Sequence, residues 1–146
     1  MSNENNVFLS PYGTCIKKER LLASGTSLPG SILAYSGGKV VTNTTADSTA
    51  PLYVADLSVS VAGAFDTGYN TSDNERVNYK MPQRGDLVRF RVGENTTIVV
   101  DDELATSAVP GVVKLPAAAG VAVKAIAIEA VTTGAAETAT VIGEVV

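Results

Sequence analysis

The sequence predicts an all-β protein, a compact β-barrel or sandwich behind an extended N-terminal arm. Three observations carry that expectation. Short runs rich in Val, Ile, Leu and Thr recur along the chain, and β-branched side chains suit a pleated, half-buried surface. Turn signals punctuate those runs at Leu28-Pro29-Gly30, Ser36-Gly37-Gly38, Thr67-Gly68, Arg84-Gly85-Asp86, Pro110-Gly111 and Thr133-Gly134. Apolar and polar residues alternate within them, as in Leu87-Val88-Arg89-Phe90-Arg91-Val92, where Val88, Phe90 and Val92 share one face.

Residues 1–13 are polar and turn-rich apart from Val7-Phe8-Leu9, and Pro11 and Gly13 interrupt any regular element. They read as an arm with a short apolar patch, which either docks on a neighbour or frays. Residues 14–146 then form a single barrel domain. Strands are expected at 16–22, 31–35, 39–42, 52–61, 75–79, 87–92, 97–100, 112–115, 121–131 and 138–146. A helix competes in one place, the alanine-rich stretch 117–130, because alanine has the best helix propensity. Gly120 and the alternation Val121-Ala122-Val123-Lys124-Ala125-Ile126-Ala127-Ile128 favour a strand there.

Two halves of the chain resemble each other. Residues 25–33, then Lys39-Val40-Val41, then 52–57 form one series; residues 93–104, then Gly111-Val112-Val113-Lys114, then 125–130 form the other. Each runs glycine, turn, short strand ending in Leu, turn, Val-rich strand, apolar strand. Either short β segments coincide by chance, or two similar units close on each other and remove exposed sheet edges.

A chain of 146 residues without a compositional break reads as one domain, large enough to bury roughly two thirds of its unfolded surface. Histidine and tryptophan are absent. That excludes Ser-His-Asp and Cys-His nucleophile systems and any zinc site built on imidazole. Cys15, the single cysteine, cannot form an internal disulfide and has no histidine to activate it, so it reads as a buried thiol. A net charge of −4 argues against a dedicated nucleic-acid binder, which needs clustered Lys and Arg to neutralise phosphates. No apolar run reaches the roughly 18 residues of a membrane helix, and the opening MSNENNVFLS lacks a signal-peptide pattern. The expectation is a soluble protein made in the cytoplasm. The Asn-X-Ser/Thr triplets at Asn43, Asn70 and Asn95 then read as polar turns rather than glycosylation sites.

Residues able to carry chemistry are few. Asp101-Asp102-Glu103 is the densest acidic group, but successive strand residues point to opposite faces, so three in a row cannot converge on one substrate. They read as a turn. With no phosphate-binding loop, dinucleotide fingerprint or CxxC pair, neither enzyme activity, nor a cofactor, nor a metal is expected. Arg84-Gly85-Asp86 matches an adhesion tripeptide, yet Pro82, Gly85 and Asp86 fit the turn that launches a strand. Arg89 and Arg91 face away from the apolar side of their strand, either as a patch for an acidic partner or as a solvated face. The residues singled out for partner binding are Val7, Phe8, Leu9, Tyr12, Arg89 and Arg91.

The series Gly25, Leu28-Pro29-Gly30, Leu33, Pro51, Val54-Ala55-Asp56, Glu75-Arg76-Val77, Pro82, Gly85-Asp86, Asp102-Glu103-Leu104, Gly111 and Ile126-Ala127-Ile128-Glu129-Ala130 resembles the head decoration, or cement, proteins of tailed bacteriophages. The resemblance spans about residues 20–146. It implies a small barrel or β-tulip that assembles as a homotrimer on the outer surface of the phage head, touches the major capsid protein at three-fold and quasi-three-fold positions, and clamps the shell against packaged DNA. The family has no catalytic residues, and neither nucleic acid nor membrane is an implied partner. An alternative from another class is a receptor- or carbohydrate-binding β module of a phage particle.

Overall fold

The computed structural model describes residues 7–9, 16–57, 68–70 and 76–146. Among them the chain is all-β. The strands are β1 (Ile16–Leu21), β2 (Thr26–Ser27), β3 (Ile32–Ser36), β4 (Lys39–Thr42), β5 (Tyr53–Ala55), β6 (Tyr69–Asn70), β7 (Arg76–Met81), β8 (Leu87–Val92), β9 (Thr97–Ile98), β10 (Glu103–Thr106), β11 (Val113–Lys114), β12 (Ala125–Ala127), β13 (Val131–Thr132) and β14 (Ala139–Val145).

Their pairing shows one unit built twice. The first sheet runs β1-β7-β5-β3-β4, and a parallel bridge between Leu22 and Val40 ties its two edges. The second is a closed barrel in which β8, β14, β12, β10 and β11 follow the same order, closed by the parallel pair Val92 and Val113. A two-stranded ribbon accompanies each, β2 with β6 and β9 with β13. Registers agree as well as order. Leu33 faces Tyr53 as Leu104 faces Ala125, Tyr35 faces Val40 as Thr106 faces Val113, and Ala55 faces Tyr79 as Ala127 faces Gly143. Strands β1–β7 therefore correspond one for one to β8–β14. The turns match too: Ser31 N–H donates to the Leu28 carbonyl at 3.0 Å, and Asp102 N–H to that of Val99 at 3.1 Å. Gly30 and Asp101, at equivalent places, both have positive φ, 84° and 73°.

Closure has a physical rationale, since sheet edges left open would present unpaired backbone groups. Each unit fills its interior with one face of its strands. Leu22, Leu33, Val40, Ala55, Tyr69, Val77 and Tyr79 form the first core. The second contains Phe90, Val92, Leu104, Val113, Ala127 and Val141, and it also takes in Ile32, Leu52 and Val54 from the first unit. The two units thus share apolar packing.

Three expectations change. The strand expected over 121–131 is broken, because Ala122 adopts a positive φ of 51° and the chain turns again after β12, so that Val131 and Thr132 pair instead with β9. Strand β10 was absent from the expected set; its first residue belongs to the acidic triplet, which reads as turn, yet Leu104, Ala105 and Thr106 are buried. The strand expected over 52–61 extends only from Tyr53 to Ala55 among the described residues, and 58–61 lie outside them. The alanine-rich segment is not helical.

Candidate interaction surfaces

The joint between the two units is held by backbone and side-chain hydrogen bonds. The Ile32 N–H donates to the Gly111 carbonyl at 3.0 Å, and the Gly111 N–H to the Asn43 carbonyl at 2.9 Å. Thr106 is gripped at both ends: its carbonyl accepts the Asp47 N–H at 3.0 Å, its Oγ1 accepts from Ser48 N at 2.8 Å and donates to the Thr45 carbonyl at 2.8 Å. Asn43, one of the three triplet asparagines, is buried there and donates to the Thr45 carbonyl. A cavity of about 430 Å³ opens beside the joint, lined by Leu28 and Ser31 from one unit and Arg91, Glu94, Val109 and Lys114 from the other.

Asp47 and Lys114 bridge the joint at 3.0 Å. The Lys114 ammonium, then the Ala117 N–H, hold the Asp47 carboxyl below its ordinary 3.8. A depressed carboxyl contributes stability that is present above the unfolded value near 3.8 and is lost as pH falls through the folded value. Asp47→Asn is therefore expected to flatten the acid limb of the stability profile below about pH 4, read from urea midpoints across pH. An unchanged limb would remove this pair from the acid response.

The residues chosen from the sequence fall in different places. Val7 is 1% exposed and belongs to the second core. Its carbonyl accepts the Arg89 N–H at 2.7 Å, and the Leu9 N–H donates to the Leu87 carbonyl at 3.0 Å, so 7–9 extend the edge of β8 through a bridge between Phe8 and Val88. Phe8 packs on the same core, with the Lys80 ammonium 4.5 Å from its ring centre. The apolar triplet thus docks on its own chain. Tyr12 and Cys15 lie outside the described residues. Arg89 is half-buried. Arg91 departs from the expected outward pair: it is only 9% exposed, and its Nε donates to the Pro29 carbonyl at 2.7 Å. It faces out of its own barrel, but the first unit covers that face. Arg91→Met, which keeps much of the apolar stem, is expected to lower stability by about 1.5–3 kcal/mol, the usual worth of a hydrogen bond from a charged donor. Lysine lacks the planar fork and should not restore it; equal urea midpoints for wild type and Arg91→Met would overturn this role.

Arg84-Gly85-Asp86 is a turn. Gly85 takes a φ of 93°, and Asp86 is buried, its carboxylate accepting the Gln83 N–H at 2.7 Å. The acidic triplet diverges as well: Asp102 accepts from Val99 N, Glu103 from Gly120 N, and Asp101 is exposed. No group of three or more His, Cys, Asp or Glu is placed to hold a metal among the described residues, and no described helix is long and apolar enough to cross a membrane.

Tyr35, Tyr53 and Tyr79 form a cluster that no single stretch of sequence reveals. Rings 35 and 53 stack with centres 4.5 Å apart, and Tyr79 meets both edge-on. The Arg20 guanidinium lies 4.4 Å from the Tyr35 ring centre. Tyr79 donates its hydroxyl proton to Tyr35 at 3.1 Å. Burial, reinforced by that hydrogen bond, pushes Tyr79 up to about 12. For Tyr35 burial acts upward too, but the bonds it accepts carry it below its ordinary value.

No protein-family model matches the chain, and no curated protein sequence matches it. Among solved structures, the chain is similar to the crystal structure of the head fiber gp8.5 N base in bacteriophage phi29, with a TM-score of 0.57 and 14% identity. The chain shares its fold with that base. The match covers 91% of this chain and 95% of that one, so it takes in both repeats.

Proposed function

We propose that this chain is a structural protein of a phage head, a decoration protein that binds the outer surface of the major capsid protein lattice as a homotrimer at three-fold or quasi-three-fold positions and stabilises the mature shell. The observation that carries this reading is the shared fold with a phage head fiber base over nearly the whole of both chains; the sequence resemblance to cement proteins supports it from a separate direction. Stabilisation follows by linkage: a ligand that binds the mature lattice better than separated subunits lowers the free energy of the assembled state. A trimer holding one site keeps its other two at high effective concentration, so modest contacts act together. Phe8, Leu9, Tyr12 and Arg89 are the proposed capsid contacts, with Val7 and Arg91 anchoring that surface from inside. Purified protein is expected to co-sediment with undecorated heads; its remaining in the supernatant would sink the reading.

A receptor- or carbohydrate-binding module is the alternative, but the tyrosine cluster gives a sugar no open stacking face: Tyr79 is buried in the first core, and Tyr35 is stacked on Tyr53 with the Arg20 guanidinium over its ring. A glycan array discriminates the two. The decoration reading expects it to be empty.

A further inference from the structure

The joint between the units uses a different surface on each side. The first unit contributes the turn 28–30, the start of β3 and the loop 43–50; the second contributes Arg91, Thr106 and Gly111. Such a contact is heterologous: it leaves each unit with one partner surface used and the other open. The open surfaces can be located by the register of the repeat. In the second unit, Val99-Val100-Asp101 stands where the first unit has Leu28-Pro29-Gly30, and Glu103 where it has Ile32. In the first unit, Leu21, Tyr35 and Gly38 stand where the second has Arg91, Thr106 and Gly111.

Both open surfaces look like halves of a joint. Pro29 is buried, whereas its counterpart Val100 is 53% exposed, next to Val99 at 52%. Gly38 keeps the left-handed backbone of Gly111, with φ 78° against 73°. A Cβ on Gly111 would meet Ser31 and Thr42 of the other unit, while nothing lies within 4 Å of one on Gly38. Tyr35 is exposed beside it. Charge is complementary: Asp101 and Glu103 lie on the first surface, and Arg20, on Tyr35 and the Gly38 carbonyl, lies with Lys39 on the second.

We infer that copies of this chain associate head to tail, the Val99–Val100 turn of one copy docking on the Tyr35–Gly38 hairpin of the next, so that the contact between chains repeats the joint within the chain. Three chains closed this way place six barrel units around one axis. The inference deepens the homotrimer of the proposed function by naming its faces, but it stands on the internal joint and does not involve the capsid.

Two variants and one cross-link test it. Val99→Glu/Val100→Glu and Ser36→Glu/Lys39→Glu change only exposed residues, and circular dichroism checks that each folds. Light scattering of the full chain at micromolar concentration should give a trimer for wild type and a monomer for each variant. In a Cys15→Ser background, Leu21→Cys with Val100→Cys should be joined into dimers and trimers by a short bis-maleimide, since these residues stand where Arg91 reaches Pro29 through its long side chain. A wild-type trimer that persists in both folded variants, or that yields no cross-link, overturns the assigned faces and leaves the homotrimer standing. A monomeric wild type overturns both, whatever the co-sedimentation with heads.

Discussion

Gly111→Ala is expected to lower stability by about 2–4 kcal/mol, a fall in melting temperature of roughly 10 °C for a chain of this size. Two effects add. The residue has a φ of 73°, a region in which an L side chain crowds its own backbone by about 1–2 kcal/mol. Its Cβ would also stand 2.8 Å from Thr42 Cγ2 and 2.9 Å from Ser31 Cβ. Thr42 is β-branched and stiff at χ1, and Ser31 sits in a turn bonded to Leu28, so the strain is relieved only by parting the joint. Parting it lengthens the two backbone bonds made by Gly111 itself. Gly38→Ala is the control, with both variants compared in the Val99→Glu/Val100→Glu background that is expected to be monomeric: a similar φ, with nothing of its own chain within 4 Å of the new atom, leaves only the backbone effect, about 1–2 kcal/mol. Equal urea midpoints for the two variants would show that the joint yields easily.

Phe90→Ala is expected to cost about 3–5 kcal/mol, as for other fully buried aromatic side chains. Phe90 fills the second barrel because Gly143, on the neighbouring strand, leaves it room: a Cβ there would lie 3.2 Å from Phe90 Cε2 and 3.0 Å from Ala125 Cβ. The first unit solves the same volume in reverse. At the equivalent positions it has Arg20 and Tyr79, so the large ring comes from the other strand and the arginine leaves the interior to cover Tyr35. Gly143→Ala alone should destabilise by about 1–3 kcal/mol through overpacking, and by less in the Phe90→Ala background, where only the close contacts with Ala125 and Leu104 remain. The coupling is read from a double-mutant cycle. Strict additivity would mean that Gly143 is not there to admit the ring.

That exchange of volumes also explains why the repeat is faint in sequence. Packing constrains the sum of side chains in a layer, so Arg20 and Tyr79 on one side and Phe90 and Gly143 on the other satisfy one topology with unlike residues. What survives is the turn chemistry and the small apolar positions, Leu33 with Leu104, Val40 with Val113 and Ala55 with Ala127. Read in order, the two sequence series set Asp56 opposite Glu129, one residue away from the register in which Ala55 corresponds to Ala127. Strand β10 was hidden because Asp102 and Glu103 carry turn chemistry, while the burial of Leu104 and Thr106 comes from the far unit and from β12.

Composition, alternation and glycine placement by themselves determined the all-β class, most strand positions and the reading of Arg84-Gly85-Asp86 as a turn, because each is decided by neighbours a few residues apart. Period-two alternation correctly put Arg89 and Arg91 on the outer face of β8. Whether an outer face meets water or a second barrel is a long-range matter, and only the tertiary structure buried Arg91 against Pro29 and spent Val7 in the core. The joint, the tyrosine cluster and the matching open faces likewise depend on contacts between residues tens of positions apart in the chain, which local periodicity does not record.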